Sequence, residues 1–199
     1  MLVAWGFTAD GERVLLSVML GMRESYEDWQ ALGRDLISRG LGAPMLVVAD
    51  GAPGLMKAIE QCWPASDRQR CCVHRARNLY AKLPERERER VKHAYWRALD
   101  DAIDEQDAKR GLQVLVDELD KDGFTAAAKC LADDLDALVV HLRYPPRHRR
   151  RSTDEIVKGV SSLHTSRGSA RLAEGVVDPE RSAGFGALAL PRSLSRMVT

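Results

Sequence analysis

Apolar residues first gather in short runs and then recur at helical spacing. The run Leu2-Val3-Ala4-Trp5-Gly6-Phe7 has β-branched and aromatic members, and the Asp10-Gly11 pair beyond it signals a hairpin turn. Two strands, over 2–7 and 13–20, are therefore predicted. Between Tyr26 and Ser38 the residues Trp29, Leu32, Leu36 and Ile37 recur as on one side of a helix, with Ser25 and Asp28 as a capping pair and Gly40 as a C-terminal stop. The uninterrupted apolar run 43–49 reads as a strand buried on both faces, as in an α/β sheet. It delivers Asp50-Gly51-Ala52-Pro53-Gly54, with a helix predicted over 55–62. A further short strand is expected over 68–74, with a helix opening at Arg75.

From Pro84 the pattern is helical throughout, with predicted helices over 85–102, 111–120 and 124–142. The alternating charges of Glu85-Arg86-Glu87-Arg88-Glu89-Arg90 read as a solvated helix face. Beyond Ser152 the periodicity is lost among serines, arginines and glycines, and the segment 154–199 is expected to be poorly structured. Four stretches result: 1–80, a strand-and-helix core; 81–142, an all-helical insertion; 143–153, a basic segment; and 154–199, the tail.

Composition narrows the functional classes. With 30 Lys+Arg against 29 Asp+Glu, the net charge is +1, so any attraction to nucleic acid must be local. A 45% hydrophobic and 30% charged content fits a folded chain, and no apolar run nears the roughly 18 residues of a membrane span. The opening residues lack a basic n-region, so a cytoplasmic location is the default expectation. Four irregularly spaced cysteines do not form a disulfide framework and are expected to be reduced.

Three places carry candidate chemistry. Asp50 follows a buried strand, and the carboxyl ends of such strands are where catalytic groups collect. It suits a hard divalent cation, or else merely holds a turn and caps the next helix. Cys71 and His74 form a C-x-x-H pair whose ligand types suit zinc, although no second pair is evident; a structural role and a catalytic or substrate-contact role stand beside it. The run Arg143-Tyr144-Pro145-Pro146-Arg147-His148-Arg149-Arg150-Arg151 suits phosphate contacts, the alternative being a solubilising loop.

The succession ESYEDWQALGRDLISRGL, LVVADGAPGLMKAIEQCWP, QRCCVHRARNLYAKLP and HLRYPPRHRRRST resembles the Mutator-type bacterial insertion-sequence transposases, over roughly residues 2–153. The resemblance implies a DDE enzyme on an RNase H-like mixed sheet with an all-helical insertion domain, using Mg²⁺ or Mn²⁺ for phosphodiester cleavage and strand transfer. DNA (transposon ends and target) is the implied partner and no membrane is expected; a homo-oligomer is one possible assembly, the sequence leaving the oligomeric state open. Asp50 takes the place of the second metal-binding carboxylate. His74 becomes an active-site or DNA contact, joined by Cys71, Arg77 and Asn78 of the family's C-x-x-H and R-N signatures, and by Arg147, Arg149, Arg150 and Arg151 of the basic segment.

Two departures accompany these matches. The family's first catalytic aspartate belongs upstream of the strand beginning at Leu2, which leaves 1–80 a partial core lacking its first strand. Val157 stands where the third carboxylate is expected, and Glu155, two positions early, lies about 200° away around a helix. Weak or absent metal binding and defective catalysis are therefore expected. Two alternatives use the same residues: a non-catalytic DNA-binding or dimerising module that modulates full-length transposase, and an unrelated metal-dependent phosphohydrolase built on Asp50.

Overall fold

The computed structural model describes residues 2–8, 13–20 and 25–145, and the backbone of residues 171–176. Strand β1 (Leu2–Phe7) pairs antiparallel with β2 (Arg13–Met19), from Leu2 opposite Met19 to Phe7 opposite Arg13, with a register irregularity between Ala4 and Trp5. The expected hairpin is present; its Asp10-Gly11 turn lies outside the described residues. Helix α1 (Tyr26–Ser38) begins as its sequence predicts, the Ser25 hydroxyl accepting the Asp28 N–H at 3.2 Å. Gly40 follows it in the left-handed region (φ 96°), which lets the Leu41 N–H turn back to the Leu36 carbonyl at 3.0 Å.

Strand β3 (Leu46–Ala49) is buried along its whole length and pairs in parallel with β4 (Asp67–Arg70). Helix α2 (Pro53–Cys62) joins them, with Pro53 where the missing N–H costs nothing. Helices α1 and α2 lie close together: a Cβ on Gly33 would come within 2.6 Å of the Cys62 sulfur. Trp29, Leu32 and Leu36 of α1 and Leu55, Ala58 and Ile59 of α2 cover one sheet face, meeting Leu2, Ala4, Val47 and Ala49. On the opposite face Leu46 and Val48 meet Cys71, Val73 and Val140.

The strand expected over 68–74 is corrected: β4 ends at Arg70, and α3 (Cys72–Tyr80) starts there. The Arg75 N–H reaches the Cys71 carbonyl at 3.0 Å, the first helical bond. The apolar run Cys71-Cys72-Val73 misleads because it is buried from two sides. Cys71 and Val73 face the sheet, whereas Cys72 faces the helical region.

That region comprises α4 (Glu85–Asp100), α5 (Glu105–Lys121), α6 (Thr125–Ala132), α7 (Leu135–Leu138) and a 3-10 turn (Val140–Arg143). Val91, Tyr95 and Leu99 interlock with Leu112, Leu115 and Leu119, and with Ala127 and Leu131, while Ala76 and Leu79 fasten α3 to the same core. The single helix expected over 124–142 is broken at Asp133 and Asp134. Beyond the break the chain makes tertiary contacts instead: the Leu138 carbonyl accepts from the Gln69 side chain at 2.7 Å, and the His141 N–H donates to Gln69 Oε1 at 2.9 Å. A buried β4 residue thus replaces partners a continuous helix would have supplied.

Within the tail one further strand is described. Residues Arg171–Val176 form strand β5, and the sheet order is β2-β1-β5-β3-β4. β5 runs parallel to β1 and antiparallel to β3. The rest of 154–199 lies outside the described residues. The architecture is a mixed α/β sheet with seven α-helices among the described residues, and none of these helices is long and apolar enough to cross a membrane.

Candidate active site

Because β3 and β4 run parallel, their carboxyl ends emerge side by side, and the Cys71 N–H donates to the Ala49 carbonyl at 2.7 Å. This bond sets Asp50 beside Cys71 at one rim of the sheet. Asp50 is half-buried, and its Oδ1 accepts the Ala52 N–H at 3.0 Å. The turn-holding role is therefore realised, and it also fixes where the carboxylate sits. Gly51 follows with φ +83°, a conformation that L side chains rarely adopt. The space a Cβ would take there belongs to the Arg70 guanidinium, whose Nη1 would lie 1.1 Å away.

Arg70 and Arg75 converge on one carboxylate, Asp134, at the start of α7. Arg70 Nε stands 3.3 Å from Asp134 Oδ2, Arg75 Nη2 pairs with the same oxygen, and all three side chains are largely buried. Arg75 also donates to the Cys130 carbonyl at 2.7 Å and lies 3.1 Å from the Cys130 sulfur. Burial, and next the Arg75 cation, push the Arg70 pKa below its ordinary value. The Asp50 carboxylate also acts on Arg70, so two cations face two carboxylates at this rim.

On the first turn of α3, His74 Nδ1 lies 3.1 Å from Cys71 Sγ. The helical start that the sequence places too late produces this contact, since residues three apart share a helix face. Cys71 is only 2% exposed, whereas Arg77 and Asn78 are exposed one turn beyond His74. Positions 71, 74, 77 and 78 thus form one stripe running outward from the rim. Burial raises the neighbouring Cys72 thiol to about 12, which keeps it protonated and unreactive.

Arg147, Arg149, Arg150 and Arg151 lie outside the described residues. The segment leading to them is anchored: Arg143 donates through Nε and Nη2 to both Glu105 oxygens at 2.8 and 3.1 Å, and the Tyr144 hydroxyl donates to Asp67 at 2.8 Å. Among the described residues no group of three or more His, Cys, Asp or Glu side chains is placed to hold a metal ion. The described residues therefore gather neither three carboxylates nor four zinc ligands in one place. Sequence reasoning missed Arg70, Arg75, Asp134 and Gln69. Their partners lie far along the chain; the only local signal was an arginine pair bracketing a C-x-x-H motif.

Comparisons with known proteins give the chain's relatives. The profile described as "Transposase, Mutator family" matches residues 1–157. The transposase for insertion sequence element IS6120 of Mycolicibacterium smegmatis is 34% identical over 151 residues, covering 74% of this chain and 45% of that protein. The transposase for insertion sequence element IST2 of Acidithiobacillus ferrooxidans is 35% identical over 162 residues, covering 78% and 53%. The transposase for insertion sequence element IS256 in transposon Tn4001 of Staphylococcus aureus is 36% identical over 84 residues, covering 42% and 22%. The chain spans about half the length of the first two relatives. With the family profile matching well over half of the residues, and two relatives above 30% identity across about three quarters of it, this chain belongs to the Mutator family of transposases.

Proposed function

We propose that this chain is a DNA-transposition protein of RNase H-like descent that engages DNA through the rim around Asp50 and is defective in phosphodiester cleavage. The observation that carries the reading is the meeting of Asp50, Arg70, Cys71 and His74 at the carboxyl ends of two parallel strands. A mixed sheet with two helices on one face, followed by a helical region, supports the descent. Asp50 is the strand-end carboxylate at this rim, and chemistry with two metal ions needs further ligands to clamp the attacking and leaving oxygens.

The chain's own groups serve DNA binding. Arg77 and Asn78 are the exposed donors on α3, able to meet phosphate oxygens without reading bases. His74 stands between them and Asp50, and Cys71 positions its ring from beneath. The arginines at 147 and 149–151 extend the same phosphate chemistry. The exposed Arg77 and Asn78 serve the second reading as well, a DNA-binding module that modulates full-length transposase without cleaving.

The test uses the purified chain, Mg²⁺ or Mn²⁺, and terminal inverted-repeat DNA. Binding should weaken steeply with salt, as counterion release from phosphate contacts requires, and no nicked product should form. Robust nicking abolished by Asp50→Ala would overturn the proposed defect. Binding insensitive to salt would overturn the phosphate-directed interface.

A further inference from the structure

Cys71 caps α3 and His74 sits on its first turn, with His74 Nδ1 3.1 Å from Cys71 Sγ. Cys71 is buried, whereas His74 is half-buried beside the exposed Arg77 and Asn78. The ring nitrogen and the sulfur share one hydrogen-bonding proton, and two arrangements use it well. Either the thiol donates to a neutral imidazole, or the imidazole has taken the proton and donates it to the thiolate. In the first, Nδ1 is the acceptor, and a neutral ring with a bare Nδ1 carries its proton on Nε2. In the second, the ring is an imidazolium with protons on both nitrogens. A third arrangement, Nδ1–H donating to an intact thiol, relies on sulfur as a weak acceptor and leaves the ring's own acceptor nitrogen out of the contact. The contact therefore selects a protonated Nε2, whichever partner holds the shared proton.

The charge is also the same in both favoured arrangements. Thiol with imidazole is neutral, and thiolate with imidazolium is neutral as a pair. His74 thus differs from Arg77, which carries a full cation. A protonated Nε2 donates and does not accept, so it suits an anionic oxygen and does not draw a proton from water. Such a donor strengthens a phosphate contact through its hydrogen bond, without the counterion release that a cation brings.

We propose that Cys71 is a positioning residue that fixes the His74 proton on Nε2, and that His74 meets a DNA phosphate oxygen through this Nε2–H as a donor of no net charge. The proposal rests on the DNA-binding reading above, and adds to it the atom that makes the contact and the charge it brings. His74 is then a phosphate donor and not a general base.

The experiment uses the full chain with the rings of its five histidines labelled with the heavy nitrogen isotope. The His74 signals are those lost in His74→Gln. In nitrogen–proton correlation spectra at neutral pH, His74 Nε2 should be protonated in the parent and in Cys71→Ser, whose hydroxyl also donates. In Cys71→Ala the Nδ1 and Nε2 signals should move toward each other as the two tautomers mix. A bare Nε2 in the parent, or an alanine variant with an unchanged spectrum, would overturn the role of Cys71. The second arm measures binding to terminal inverted-repeat DNA across salt concentrations. His74→Leu should bind about tenfold more weakly than the parent throughout, whereas His74→Gln, whose amide keeps an N–H at similar reach, should stay within about twofold. Neither should change the slope of log affinity against log salt, which Arg77→Ala should lower by about one. A slope lowered equally by His74→Leu would reveal a cationic ring, and unaltered binding by His74→Leu would remove the contact; either result overturns the proposal. A parent chain that binds no DNA overturns the DNA-binding reading and the phosphate contact with it, and the spectra then still decide which nitrogen Cys71 leaves protonated.

Discussion

Asp134 shows how much of the site depends on one side chain with no role in the sequence motifs. It is the carboxylate on which Arg70 and Arg75 converge, and Arg70 in turn occupies the space over Gly51. Removing one partner from a buried ion pair leaves charge uncompensated, at a typical cost of about 3–5 kcal/mol. Asp134→Asn should therefore destabilise the chain by about 3 kcal/mol in urea unfolding, more than a surface carboxylate such as Asp101→Asn, for which about 0.5 kcal/mol or less is expected. Equal small losses would show that the arginines find other partners. Neither pairing was legible in the sequence, because 70, 75 and 134 become neighbours only when α7 folds back over the strand end. Asp50 and the C-x-x-H pair were legible, since a strand end and a helix turn impose local geometry.

At the scale of elements, α1 obeys its local code while the stretch 124–142 does not. Ser25, Trp29, Leu32, Leu36 and Gly40 all point to one helix with set ends. In the later stretch the apolar spacing is helical, but the segment after Asp134 is held by Gln69, and the Asp134 side chain by two arginines. The joint between α5 and the 3-10 turn carries a pH dependence. Hydrogen bonds from Arg143, and less strongly from Lys109, hold the Glu105 carboxyl at about 2, below its ordinary value. A carboxyl depressed on folding contributes stability above its unfolded value near 4.5, and loses it as pH falls toward 2. Because Arg143 is half exposed, solvent screening limits this to about 1 kcal/mol. Glu105→Gln should be less stable than the parent by about that amount at pH 7, and the two unfolding curves should converge between pH 4.5 and 2. A constant gap across that range would mean that the ion pair contributes nothing.

At the scale of the molecule, one buried amide unites the sheet with the helical region. Gln69 is 1% exposed and bonds to Leu138 and His141 across about seventy residues of sequence. Gln69→Leu keeps the volume but strands a carbonyl and an N–H, so a loss of about 2–3 kcal/mol is expected in thermal or urea unfolding. Hydrogen exchange should quicken first at His141. Protection there unchanged in the variant would show that the joint is held by apolar packing alone.

The sequence by itself determined the hairpin, the helices with clear caps, the buried strand leading to Asp50 and the family. Each of these is encoded within a few residues, by turn chemistry, apolar period or a motif in fixed order. Tertiary structure alone decided where α3 begins, why 124–142 breaks, which carboxylate serves Arg70 and Arg75, and that residues 171–176 lie at the centre of the sheet. Those outcomes depend on buried groups finding partners distant in the chain, since a polar group removed from water must be paired and the nearest partner in space need not be near in sequence.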